Sequence, residues 1–581
     1  MSETEHGTVN DTRDTLTPPS PSKWNKAVRS ACRVAPWNFL KSVGRKVMFG
    51  GIERACHLSS AEVARQRTTV FPKAVTFSIL VPLFNTPLSF LEDMIASVQA
   101  QTYPHWELCL ADGSDDTHSD VGARCRELAR SDARIVYQKL SENGGISENT
   151  NACIAMATGD FICLFDHDDL LHPSALFETM TAICRHNADL VYTDEATFTK
   201  HGPLTVLAYH HKPDFAPDNL RANNYICHFT SFSRTLLDEV GGFRSDFDGS
   251  QDHDMILRLS EKAKHIHHVP KVLYFWRSHG ASVASDLNSK PYVLDAGMRA
   301  VRDSIERTTG QACTVERATA SSAHYRVRYS LPEKPLVSIV MHSITNEEAL
   351  FRCVASVTQK TSYDRYELLI PPSSTLSDTM RERLTAIDRV RTVDGVCDAG
   401  GDYLVLLSAQ TEVITPDWVE ELLMYAVRTD VGAVGAKLLY PDRTVAHAGI
   451  LIGIGKDRLC ASAHHGLDAA EQGYAGRLCY AQNVSAVSAA CMMTKTALFK
   501  ELDPTLGTIL GGVDRCLQLQ REGFLNVFTP FAALYHHVDK KERPTAEEAR
   551  HFRTLWHDTL EKGDPYFNPN LSPAHTDFRL K

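Results

Sequence analysis

The feature that most constrains this chain is an internal duplication. FSILVPLFNTPLSFLEDMIASVQAQTYPHWELCLADGS at 77–114 is echoed by VSIVMHSITNEEALFRCVASVTQKTSYDRYELLIPPSS at 337–374, and GDFICLFDHDDLLHP at 159–173 by GDYLVLLSAQTEVITP at 401–416. A period of about 240–260 residues is far too long for a solenoid and marks a repeated domain. In the first copy, apolar runs at 77–84, 107–111, 135–138, 161–165 and 190–192 read as buried strands. Between the first two, Leu88, Leu91, Ile95 and Val98 share one helical face. Strands alternating with helices predict an α/β protein with mostly parallel, Rossmann-like sheets. Ligands bind such sheets beyond the carboxyl ends of the strands. Those ends are polar here: Asn85, Asp112, Asp166, and Asp194 with Glu195.

The 581 residues divide accordingly into a leader at 1–75, a first domain at 76–332 and a second at 336–581, with the junction near Pro332 and Pro335. Residues 1–22 are polar and rich in Pro, Ser and Thr, the composition of a disordered tail. From 23 to 60, Lys23, Lys26, Arg29, Arg33, Lys41, Arg45 and Lys46 interleave with Trp24, Trp37, Phe39 and Leu40. That pattern fits an interfacial membrane contact, and equally a helix packed on the body with its charges in water. A net charge of −10 argues against wholesale nucleic-acid binding. Fifteen cysteines without a CxxC pair argue against a disulfide framework or a zinc site. No apolar run reaches the ~18 residues of a membrane span, and no signal-peptide core is present near the start. The expected setting is the cytoplasm, with peripheral contact at the cytosolic face of a membrane.

Asp166-His167-Asp168-Asp169 follows the apolar run FICLF. Two carboxylates one residue apart at a strand end can hold Mg²⁺ or Mn²⁺, hard cations that take a few carboxylates plus substrate phosphates. Alone, the run is also what a solvated acidic turn looks like. Asp252 stands two residues before Asp254, which begins the helical pattern DMILRL, and an acid at such a helix start favours the helix dipole whatever else it does.

Taken in order, VPLFN (81–85), ADGSDD (111–116), ENGGISENTNACIAMATGD (142–160), FDHDD (165–169), GSQDHDMILRL (249–259) and YFWRSHGAS (274–282) resemble the successive motifs of inverting family-2 glycosyltransferases. The whole chain is similar to bacterial surface-polysaccharide enzymes with two tandem modules. The resemblance implies two GT-A folds and an enzyme that moves a sugar from a nucleotide-sugar donor to a glycan or lipid-linked acceptor. It implies that Pro82, Phe84 and Asp112 hold the nucleotide, that Asn143, Gly144 and Gly145 lie beside the donor, and that Asp166 and Asp168 meet the metal and diphosphate. Arg277 would contact the diphosphate, His279 the metal, and Asp252 would be the catalytic base. Two positions depart from the family pattern: Phe84 stands where many relatives have Tyr, and Ala111 where they have a first Asp.

The second copy keeps the scaffold and loses the acids. His342 replaces the proline of VPLFN, Pro372-Ser373-Ser374 replaces Asp-Gly-Ser, and Ser408-Ala409-Gln410 replaces Asp-x-Asp. Without those carboxylates a hard metal has no evident seat, and the second module reads as degenerate. Asp514 survives where a base would stand, and the His pairs 464–465 and 536–537 complete no spaced ligand set.

Overall fold

The protein is described here by a computed structural model, which describes residues 55–200, 204–278, 291–320, 322–372, 376–394 and 398–581. The basic segment of 23–60 lies almost wholly outside the described residues, as does His279.

The first sheet is built from β1 (Phe77–Leu83), β2 (Trp106–Asp112), β3 (Ile135–Lys139), β4 (Phe161–Leu164), β5 (Leu170–Leu171), β6 (Leu190–Lys200), β7 (Leu204–His210), β8 (Thr230–Ser233) and β9 (Ile266–Arg277). Their order is β3-β2-β1-β4-β8-β6-β9-β5, with β7 paired to β6. The β3-β2-β1-β4 block is parallel, while β8 runs antiparallel to both β4 and β6. The sheet is therefore mixed, with its parallel block formed by the N-terminal strands. Every residue of β1 is buried, as expected for a strand covered on both faces. Helix α1 (Leu88–Gln99) buries Leu91, Met94, Ile95 and Val98. Leu88, assigned to that face from spacing, is 37% exposed because it opens the helix, and Met94 takes its share of the core.

The second sheet repeats the eight-strand path of the first and adds Val445–His447 beside Val431–Leu439 and Gln482–Val484 beside Leu525–His536. Its order is Val390–Thr392, Tyr366–Ile370, Val337–His342, Tyr403–Ser408, Cys491–Lys495, Val431–Leu439, Leu525–His536 and Thr411–Val413. The copies also share a polar latch. Ser78 Oγ donates to Glu107 (2.7 Å) and accepts from the Gly159 amide (2.9 Å); Ser338 Oγ donates to Glu367 (2.6 Å) and accepts from the Gly401 amide (2.9 Å). A Cβ on either glycine would lie 2.6 Å from a carbonyl, of Thr76 or Leu336, so only glycine fits.

The two sheets are joined by a buried polar seam. Asp218 is ion-paired with Arg221 and Arg428 and accepts from Asn483 Nδ2 (2.7 Å). Tyr474 bonds the backbone of His211 (2.8 Å). Asn568 donates to both oxygens of Asp194 (3.0 and 2.9 Å). Apolar residues of both halves, among them Leu220, Ile256, Tyr329, Val405 and Trp418, share one core. No described helix is long and apolar enough to cross a membrane.

Candidate active site

The carboxyl ends of β1, β2 and β4 face helix α2 (Ile146–Met156) and the N-terminus of α3 (Gln251–Lys262). At the end of β1, Phe84 is 47% exposed, one of few large apolar side chains left open, and Pro82 is buried in the strand. Asp112 is nearly inaccessible. It accepts from the Ser114 amide (2.9 Å) and the Tyr137 hydroxyl (2.9 Å), with Lys139 Nζ 3.8 Å away. In this state the Asp112 carboxylate shapes the turn and does not stand open to a ligand.

Asn143 and Gly144 lie exposed before α2, bonded to Asn149 (2.8 and 3.2 Å). Gly145 has φ +92°, and a Cβ there would meet Asp248 Oδ2 at 2.7 Å. Asp248 accepts from the Ser147 hydroxyl (2.5 Å), so the loop before α3 also closes the N-terminus of α2.

After β4 the chain turns through Phe165 to Asp169. Asp169 is fully buried and accepts from Tyr274 Oη (2.5 Å) and the Arg277 amide (2.6 Å). Arg277 itself is buried. Its Nε donates to the Asp168 carbonyl (2.5 Å), another nitrogen pairs with Asp93 (3.2 Å), and the guanidinium lies between Phe90 and Phe198. The resemblance implied a diphosphate contact for Arg277; this structure instead buries it as a clamp beneath the acidic turn. Between these anchors, Asp166 and Asp168 stay partly accessible.

Asp252 lies in the first turn of α3, with Gln251 Nε2 3.2 Å from its Oδ2. Its neighbours are assigned elsewhere. His253 is buried and donates to the Leu220 carbonyl (2.7 Å). Asp254 is paired with Arg244 and with Arg258 (2.9 Å). The structure brings Asp252 and Asp166 together across His228, a residue that sequence reasoning did not single out. The antiparallel register of β4 and β8 pairs Leu164 with Thr230. Beyond the paired residues, His228, just before β8, lies beside Asp166, just after β4, with its Nε2 3.3 Å from Asp166 Oδ2. Ligand atoms of Cys227, His228 and Asp252 all lie within 4.8 Å of one another. Nothing in the local sequence CHF marks this position; only the strand pairing does.

The electrostatics follow from crowding like charges out of water. Burial, and then the neighbouring Asp168, raise the Asp166 carboxyl to about 6. Burial, and then Asp166, raise Asp252 to about 6. Asp169 is raised well above the carboxylate range by burial, Asp168 and Asp166, and burial holds the His228 imidazole below its ordinary value. Glu195 behaves oppositely: burial is outweighed by Lys212 and His210, which hold it at about 2. Asp194 and Glu195 are not open to a ligand. Asp194 binds His211 and His268 (2.8 Å each), and Glu195 binds Lys212 (3.3 Å). Trp276 is partly buried against the first core.

In the second sheet, Asp514 carries Trp556 Nε1 (2.8 Å) on one oxygen and Gln518 (2.7 Å) on the other. His342 bonds the Ala489 carbonyl (2.8 Å). The paired histidines are taken up singly, His465 near Tyr440 (3.1 Å) and His537 near Glu412 (3.2 Å).

Residues 78–241 match the model of glycosyl transferase family 2. The chain is 36% identical over 536 residues to an uncharacterized protein, y4gI, of Sinorhizobium fredii, covering 87% of this chain and 58% of the relative. It is 32% identical over 534 residues to the O-antigen biosynthesis protein RfbC of Myxococcus xanthus, covering 87% of this chain and 41% of the relative. The chain thus spans only about half the length of these two relatives. Among solved structures it is similar to Staphylococcus aureus TarS 1–349 in complex with UDP-GlcNAc, at 18% identity and TM-score 0.34, covering 40% of this chain and 67% of that one. A likeness this distant carries no weight here; the strand order and the site residues do.

Proposed function

We propose that this chain is an inverting, metal-dependent glycosyltransferase whose chemistry lies in the module at 76–332, with the module at 336–581 degenerate. One observation carries the reading: the acidic turn after β4 and the acid that opens α3 meet across one imidazole, although the two acids are 86 residues apart in sequence. The donor nucleotide would lie over Phe84 and the Asn143–Gly145 loop, with its diphosphate toward the acidic turn. The acceptor hydroxyl would approach from the Asp252 side.

Asp166 and Asp168 fit a divalent cation. Both are hard oxygen donors on one turn, and burial, then the neighbouring Asp168, raise the Asp166 carboxyl. Mg²⁺ or Mn²⁺ bound there would neutralise charge on the departing nucleoside diphosphate. Asp252 accepts the acceptor hydroxyl proton as that oxygen bonds the anomeric carbon and the carbon–diphosphate bond breaks. Attack opposite the leaving group inverts the centre, and one base suffices. A carboxyl raised to about 6 is a stronger base than an ordinary aspartate and is still ionised at neutral pH.

The second copy has Ser408 where the first has Asp166, and its Asp514 is occupied by Trp556 and Gln518, which supports a scaffold role. The name of the Myxococcus relative supports a surface-polysaccharide or lipid-linked acceptor. The basic and aromatic residues of 23–60 support peripheral contact with an anionic membrane surface. The test is a panel of nucleoside diphosphates with Mn²⁺, read by thermal shift, since a ligand specific to the native state raises apparent stability. At least one diphosphate should stabilise the chain in a Mn²⁺-dependent way. The reading fails if none does.

A further inference from the structure

We infer that His228 is the positioning residue that holds the two reacting sides of this site in register, bracing Asp166 on the donor side against Asp252 on the acceptor side. The inference rests on the glycosyltransferase reading and adds to it a residue that the sequence motifs do not contain.

Four independent features support it. First, His228 lies just before β8, whose partner β4 leads into the acidic turn, and its Nε2 is 3.3 Å from Asp166 Oδ2. Second, one His228 ring nitrogen lies within 4.8 Å of an Asp252 oxygen, so the same ring borders both acids. Third, the ring is fixed from outside the site. It stacks on Tyr274 at 4.9 Å and 18°, and Tyr274 donates to Asp169 of the acidic turn. The backbone on either side of the ring is clamped as well: the His228 amide donates to Glu195 (2.8 Å), and its carbonyl accepts from Lys212 Nζ (2.5 Å). Lys212 is fully buried and also holds the Ile226 carbonyl (3.1 Å). A buried ion pair is costly unless its bonds are well made, yet here Lys212 and Glu195 are placed behind a single loop residue. Fourth, the second copy supplies a natural control. There Leu407 pairs with Cys491, and Ser408, the counterpart of Asp166, faces Ala490. Where the acid is gone, the imidazole opposite it is gone too.

The physical role follows from like charges. Two neighbouring carboxylates repel, and each would swing away from the other if nothing lay between them. The His228 ring, 3.3 Å from Asp166, occupies the space between the two acids, and its bulk keeps Asp252 at a fixed offset. In-line attack tolerates little error, and a misplacement of about 1 Å costs on the order of 100-fold in rate.

The experiment uses the full chain. Wild type is first incubated with UDP-, GDP- and dTDP-sugars and Mn²⁺, and release of nucleoside diphosphate is followed with and without an oligosaccharide acceptor. If wild type turns over none of the donors, the glycosyltransferase reading itself fails. With a donor that wild type accepts, His228→Ala should lower kcat by about 100-fold. Its affinity for the Mn²⁺–nucleoside diphosphate complex, read by calorimetry, should stay within about threefold, the size of a lost peripheral hydrogen bond. His228→Gln, whose amide still reaches Asp166, should recover at least about tenfold of that loss. In the double variant with Asp166→Asn the two rate losses should combine less than multiplicatively, because the residues act as one unit. The inference is overturned if His228→Ala keeps kcat within about threefold of wild type. It is equally overturned if turnover, nucleotide affinity and melting temperature fall together and Gln restores none of them, the pattern of a merely structural residue. Should His228→Ala not fold, His228→Asn replaces it, and the same two results overturn the inference.

Discussion

Replacing Asp252 by Asn should damage activity and improve stability at once. The carboxyl is raised from 3.8 to about 6 by burial and by Asp166, so its ionised form is disfavoured in the folded chain. At about 1.36 kcal/mol for each tenfold change in proton affinity, the ionised side chain costs the fold at most about 3 kcal/mol. Partial solvent contact and relaxation of Asp166 reduce that to roughly 1–2 kcal/mol. The sign is that of an acid with an elevated folded pKa. The penalty is absent below the unfolded value near 3.8, grows between 3.8 and about 6, and is complete above it. Asn keeps the shape and removes the charge, so Asp252→Asn should melt a few degrees above wild type at pH 8 in EDTA. The difference should be about half as large at pH 5. Over the same pH range, loss of the base should cut sugar transfer by about 100- to 10,000-fold. Scanning fluorimetry and a coupled nucleoside diphosphate assay measure both on one preparation. A variant that melts below wild type would show that Asp252 is not a strained charge. One that retains most of its turnover would remove it from the role of base.

Three further outcomes are expected. Asp168→Ala, or chelation by EDTA, should abolish Mn²⁺-dependent nucleoside diphosphate binding measured by calorimetry, and unchanged binding in EDTA would contradict the metal assignment. Asp254→Asn leaves the mostly buried Arg258 with a neutral partner, having lost both ion pairs of Asp254. Unfolding in urea should then show a loss of about 3 kcal/mol, and a loss under about 1 kcal/mol would mean the pair is dispensable. Asn568→Ala removes two hydrogen bonds to the buried Asp194. It should cost about 1–3 kcal/mol in the same assay, and a neutral result would show that water replaces the amide.

Much of this architecture was legible from residue order. The two echoing segments pointed to the paired sheets, because a buried strand run and its following amphipathic helix leave a periodic trace. The family motifs point to the acids at 166, 168 and 252, and the structure sets Asp166 and Asp252 on either side of His228. What escaped notice depends on pairing across distance. His228 acquires its place because β8 pairs with β4, which carries the loop before β8 to the acidic turn 62 residues earlier. Arg277 looked like a ligand contact because it follows a strand end, yet Phe90 and Phe198 enclose it. Asp194 and Asp112 read as strand-tip acids. Only the folded chain shows that His211, His268 and Asn568 have taken the first, and Ser114 and Tyr137 the second.

The amide of Asn568 reaches Asp194, and Asp194 also receives the Lys212 amide (3.0 Å) beside the clamp on His228. A nascent chain emerging from the ribosome must therefore wait some 370 residues after Asp194 is made before that carboxylate gains its last donor. A fragment ending near residue 332 would leave Asp194 a donor short next to the reacting groups. Chain termination between residue 332 and Asn568 should accordingly impair activity more than its distance along the chain from Asp194 suggests.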